Sequence, residues 1–114
     1  MKKLFISQPM NGKTTREILE ILEIRKKIIE SAEMLLGEPV EVIDNIIQDG
    51  PAGAKPLWYL GESIEFLSKA DIAYFAPGWK NARGCKIENQ CAVEYGILTI
   101  EDYDDEIVIR ERKK

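Results

Sequence analysis

Apolar and polar positions along the chain switch repeatedly between a period of two and a period near 3.6 residues. Residues 3–7 (KLFIS) form a short apolar run of strand type, ended by the turn-forming segment Gln8-Pro9-Met10-Asn11-Gly12. A long helical pattern follows. Thr14 and Glu17 have capping-box spacing. Ile18, Leu19, Leu22, Ile28, Ile29, Ala32, Leu35 and Leu36 then recur on one helical face, with Glu20, Glu23, Arg25, Lys26, Lys27 and Glu30 largely between them. Gly37 is a natural stop, and 39–43 (PVEVI) read as a second strand. Residues 44–56 are a loop rich in Gly, Pro, Asp and Asn.

The alternation continues. Residues 57–69 read as a second helix with Leu57, Leu60, Ile64 and Leu67 on one stripe, and 70–75 (ADIAYF) as a third strand. A loop at 77–83 (PGWKNAR), a third helix over 84–95 and a fourth strand at 97–100 come next. The acidic turn 101–106 leads to a fifth strand at 107–109 and a basic tail. Strands alternating with helices predict βαβ units and an α/β fold on a parallel sheet of about four to five strands. Right-handed crossovers then gather the loops after each strand on one edge, where ligands of such sheets bind. Ser7 to Gly12, Asp44 onward, and Pro77 to Gly84 should meet there.

Composition narrows the chemistry. A length of 114 residues predicts a single domain with enough chain for a real core. With no histidine, Ser-His-Asp and Cys-His machinery and histidine metal ligands are excluded. Acid–base or nucleophilic work falls to Asp, Glu, Cys, Tyr, Ser or Lys. The net charge of −4 argues against a broad nucleic-acid platform, though not against a small phosphorylated ligand. Cys85 and Cys91 are too few for a disulfide scaffold, and on one helix they stand about 9 Å apart along its axis. These features predict a reduced, cytoplasmic protein, with no membrane partner because no apolar run reaches the ~18 residues of a span.

Four features carry candidate chemistry. Gly84, Glu88, Ala92 and Gly96, spaced by four, put one carboxylate in a stripe of very small residues. Near the helix start, the macrodipole should keep Glu88 ionised, as a carboxylate nucleophile requires. Tight packing against a sheet explains the same stripe. The turn Ser7 to Gly12 can present backbone N–H groups to a phosphate or sugar, but it carries neither a dinucleotide fingerprint nor a P-loop. Asp71 opens a strand of buried type, where it acts on a ligand, caps a helix or faces solvent. Lys13, Arg16, Arg83 and Lys86 flank the two loops and could hold a phosphate. Trp58 and Trp79 lie in or near loops as stacking surfaces, interface anchors or ordinary packing.

The segments LFISQPMNG (4–12), ADIAYF (70–75) and GWKNARGCKIE (78–88), with Ala92 and Gly96, together resemble the nucleoside 2-deoxyribosyltransferase superfamily, and most closely a small bacterial and phage branch of it. The likeness runs from residue 3 to about residue 100, and the third segment is its most specific part. The resemblance implies a flavodoxin-like three-layer sandwich with helices on both faces of the sheet. It implies a homodimer or higher homo-oligomer whose subunits complete one another's sites, and cleavage or transfer at the N-glycosidic bond of a nucleoside or nucleoside 5′-monophosphate, without a cofactor. Carried over residue by residue, the catalytic pair is Glu88 as nucleophile and Asp71. The substrate-binding set is Ser7, Gln8, Pro9, Met10, Gly12, Asp44, Trp79, Asn81, Arg83 and Gly84. One departure stands out. Ala82 occupies the place where relatives carry a phosphate-binding serine or an aspartate, and it removes a hydrogen-bonding group from the expected site. Two other classes remain: a nucleotide-binding module of the same fold without turnover, and a protein-interaction domain presenting Trp58, Tyr59 and Trp79.

Overall fold

The computed structural model describes residues 1–8, 15–45 and 50–111, with side chains from residue 19 onward in the first helix except at 21. These residues form five strands and three α-helices in the order β1 (Lys2–Ser7), α1 (Thr15–Leu36), β2 (Val40–Val42), α2 (Pro56–Leu67), β3 (Ile72–Phe75), a 3-10 turn (Trp79–Asn81), α3 (Arg83–Glu94), β4 (Leu98–Asp102) and β5 (Ile107–Arg110). The expected strands and helices are all present, with ends shifted by a few residues. Pro56 opens α2, where its missing N–H costs nothing. Gly37, at φ 71°, closes α1 as its sequence position predicts. The expected cap at Thr14 lies outside the described residues.

The strands form one sheet in the order β2-β1-β3-β4-β5. β1 pairs in parallel with β2 and β3, and β3 with β4. β5 departs from the all-parallel expectation and runs antiparallel to β4. The cause is chain length: residues 103–106 form a hairpin connection, whereas a parallel return needs a crossover of a dozen or more residues.

Alternate side chains of the central strands enter two separate apolar clusters, as a pleated strand requires. Leu4, Ile6, Ile72, Tyr74 and Ile100 pack with Ile28 and Ala32 of α1. Phe5, Ala73 and Phe75 pack with Leu67 of α2 and with Cys85 and Ala92 of α3. Strands buried this way read as continuous apolar runs, which explains the plain signal of LFI and IAYF. The helical stripes are only partly spent on these clusters. Leu19, Leu22 and Leu35 of α1, expected toward the core, are exposed, and Leu57 of α2 is 76% exposed. Among the described residues, no helix is long and apolar enough to cross a membrane.

Candidate active site at the carboxyl edge of the sheet

The chain leaves β1 for β2 on one side and later places β3 on the other. The carboxyl ends of β1 and β3 therefore flank a topological switch point, where open α/β sheets form their ligand crevice. Ser7 is the last residue of β1, in register with Phe75 of β3. Its hydroxyl donates to Glu88 Oε1 at 2.6 Å. The hydroxyl of Ser63, on α2, donates to Glu88 Oε2. Glu88 itself is only 6% exposed. Three elements thus converge on one carboxylate: a strand end, α2 and α3.

The small-residue stripe explains how α3 comes this close. Ala92 is fully buried, and a Cβ added at Gly84 would stand 3.9 Å from Leu60 Cδ1 of α2. Glu88, in the same stripe, is directed inward between α2 and β1 rather than to solvent.

Electrostatics at Glu88 differ from the sequence expectation. Burial raises its pKa above the ordinary carboxylate value, and the hydrogen bonds from Ser63 and Ser7 act against that rise without cancelling it. With α3 starting at Arg83, Glu88 lies in the second turn, beyond the first-turn reach of the helix dipole. Cys85, one turn earlier, is also raised, chiefly by burial; the polar contact with Ser7 opposes the rise and the charge of Glu88 adds to it. Its thiol is protonated at neutral pH, and both cysteines are free.

A second polar group stands where β1 and β2 end. Arg25 of α1, grouped with the polar face from its pattern, is instead 5% exposed. Its Nε donates to Gln8 Oε1 at 2.7 Å, one terminal nitrogen to Asn45 Oδ1 at 2.7 Å, and the other to the Ile6 carbonyl at 3.2 Å. Asn45 Nδ2 donates to the same carbonyl at 3.0 Å. Burial lowers the Arg25 pKa to about 10, with the charge of Asp44 opposing, so the guanidinium stays charged at neutral pH.

The structure brings together some of the predicted site residues and separates others. Ser7, Gln8, Asp44, Gly84 and Glu88 lie at the carboxyl edge or on the elements that reach it. Pro9, Met10, Gly12 and Lys13 lie outside the described residues. Asn81 and Arg83 are exposed, at the end of the 3-10 turn and the start of α3, and Lys86 is exposed on α3.

Two expectations are corrected. Asp71 precedes β3 at the opposite, amino edge. There its Oδ2 accepts the Lys3 backbone N–H at 2.8 Å and its own N–H donates to the Lys3 carbonyl at 2.9 Å. Four residues of strand rise, about 13 Å, separate it from the Ser7–Glu88 end. Its role is to extend the β1–β3 ladder, so within one chain it cannot act with Glu88. Trp79 does not line the crevice. It is buried against Phe75 and Tyr103 at ring-centroid distances of 5.5 and 6.0 Å. Gly78, at φ 88°, supplies the left-handed turn that folds it inward.

Ser63 and Arg25 escaped the sequence reading. A lone serine on α2 carries no local signal, and Arg25 was masked by its charged neighbours. Among the described residues, no group of three or more Cys, Asp or Glu side chains could hold a metal ion. No protein-family model, curated protein or solved structure matches the chain.

Proposed function

We propose that this chain cleaves or transfers the N-glycosidic bond of a nucleoside or nucleoside 5′-monophosphate, with Glu88 as nucleophile, on a flavodoxin-like three-layer fold. One observation carries the reading: a nearly buried carboxylate at the switch-point edge of the sheet, with each oxygen held by a serine hydroxyl from a different element. An ionised carboxylate offers about four lone-pair positions, and the two hydroxyls use two of them. A lone pair remains for attack, in an orientation fixed by the two bonds. The strand order 2-1-3-4 supports the flavodoxin-like assignment, with the antiparallel β5 as an addition to it.

In this mechanism a Glu88 oxygen bonds to C1′ of the sugar as the C1′–N bond breaks. The leaving base takes the electron pair and then a proton from solvent. Water hydrolyses the resulting glycosyl ester, or a second base displaces Glu88 to give exchange, as in retaining glycosyl transfer. The raised pKa makes Glu88 more basic than an ordinary carboxylate, and activity rises as pH passes through its folded value. Exposed Leu57, Trp58, Tyr59 and Ile87, on the helices that carry Ser63 and Glu88, support the homo-oligomer that the family resemblance implies.

The test is incubation with 2′-deoxynucleosides and their 5′-monophosphates, with chromatography for free or exchanged base. Release by the wild type that Glu88→Ala abolishes supports the reading. No release above background from either protein refutes it.

A second reading is favoured by the displacement of Asp71 and by Ala82, which offers no side-chain hydrogen bond at the start of α3. The same site then binds a nucleotide without turnover. It predicts ligand-induced thermal stabilisation that Glu88→Gln retains.

A further inference from the structure

Arg25 settles which way a neighbouring carboxamide faces. A guanidinium has five N–H donors and no acceptor, so the atom of Gln8 that meets Nε at 2.7 Å must be its oxygen. The same argument turns the oxygen of Asn45 to the other side of the guanidinium. Asn45 spends one of its N–H bonds on the Ile6 carbonyl, which Arg25 also reaches. The three bonds, with a residue 5% exposed, hold the fork in place. Flipping Gln8 would set an NH₂ group against a buried cation and remove its acceptor. The Gln8 amide therefore directs its two N–H bonds away from Arg25.

Gln8 follows Ser7, so those donors arise one residue beyond the hydroxyl that holds Glu88. Successive strand residues address opposite faces. Glu88 thus meets the end of β1 from the α3 side and Arg25 meets it from the α1 side. A ligand laid across this end encounters the carboxylate on one flank and the carboxamide on the other.

We propose that Arg25 is a positioning residue that locks Gln8 as a hydrogen-bond donor to the ligand, so that the site selects a ligand presenting an acceptor, a carbonyl oxygen or ring nitrogen of a base, at that point. The inference rests on the nucleoside reading for the identity of its ligand and on the Arg25 geometry for the lock.

Gln8→Glu separates the two roles. The carboxylate keeps the shape and pairs with Arg25 more strongly than an amide does, but it has no N–H. The expected result is a melting temperature at neutral pH equal to or above that of the wild type. Alongside it, affinity for 2′-deoxynucleosides and their 5′-monophosphates, measured by calorimetry, falls at least tenfold. Gln8→Leu loses both stability and affinity. Arg25→Lys keeps the charge without the fork, and it loses affinity together with melting temperature. A merely structural Gln8 would not split stability from affinity.

A wild type that binds none of these probes refutes the nucleoside reading and this ligand assignment with it. A wild type that binds, with Gln8→Glu binding equally well, overturns the donor role alone. A lower melting temperature for Gln8→Glu overturns the lock.

Discussion

Replacing Ser63 by alanine removes one of the two hydroxyls that hold Glu88 and leaves the rest of α2 unchanged. Hydrogen bonds to charged groups contribute about 1.5–3 kcal/mol. Ser63 is half-buried and solvent can partly replace it, so the lower end applies, about 1.5–2 kcal/mol at neutral pH. For 114 residues, an unfolding entropy near 2.1 cal/mol/K per residue totals about 0.24 kcal/mol/K, which converts this loss to about 6–8 °C in melting temperature.

The loss must depend on pH. Burial places the folded pKa of Glu88 above its ordinary value, so the native state holds the proton more tightly than the unfolded chain does. The contribution of Glu88 to stability therefore falls as pH rises from the ordinary value through the folded one. Ser63→Ala deletes a bond that favours the charged form, raises the folded pKa further, and steepens that fall. Urea or thermal unfolding between pH 4 and 8 should show wild type and variant converging in acid and separating toward neutrality. Equal destabilisation at both ends would refute the assignment of Ser63 as a partner of the carboxylate. If turnover is found, the acid limb of the variant's pH–rate profile shifts to higher pH.

Arg25→Met strands the oxygens of Gln8 and Asn45, each costing roughly 1–3 kcal/mol where water cannot reach it, and leaves the Ile6 carbonyl with Asn45 as its side-chain partner; circular-dichroism melts should show a much larger loss than for Lys26→Met on the exposed face. Asp71→Ala, at the amino edge, should cost about 1 kcal/mol or less and leave any glycosidic activity within twofold, read from base release alongside Glu88→Ala. Cys85, buried and held protonated, should react with a thiol reagent at neutral pH only as fast as the protein opens, with labelling accelerated by urea. Phe5→Ala in the centre of the sheet should cost about 3–5 kcal/mol, and Leu19→Ala on exposed α1 under about 0.5 kcal/mol, in parallel denaturant titrations.

The elements were legible because burial on both faces of β1 and β3 writes unbroken apolar runs, and because Gly37 and Gly78 sit where the chain must turn. Glu88 was legible through its stripe, since only small residues allow α3 so near its neighbours. Arg25 was not. Glu20, Glu23, Lys26 and Lys27 make its position look solvated, and its carboxamide partners come from Gln8 and Asn45, 17 and 20 residues away, beyond the reach of helical periodicity. Asp71 misled because strand type was visible while the edge on which its carboxylate would fall was not. Trp79 misled because a loop position says nothing about a 3-10 turn that folds the ring back beneath it.

Ser7 ties the site to the sheet through two different groups. Its hydroxyl holds Glu88, and its carbonyl accepts the Ala76 N–H at 2.9 Å, the last rung beyond the β1–β3 register. Fraying of that rung would detach the carboxylate from its strand partner while α3 remained helical. The strand half of the carboxylate's support thus depends on the end of the central ladder, while the half from Ser63 does not. Hydrogen exchange at a single amide, that of Ala76, reports that fraying without any substrate.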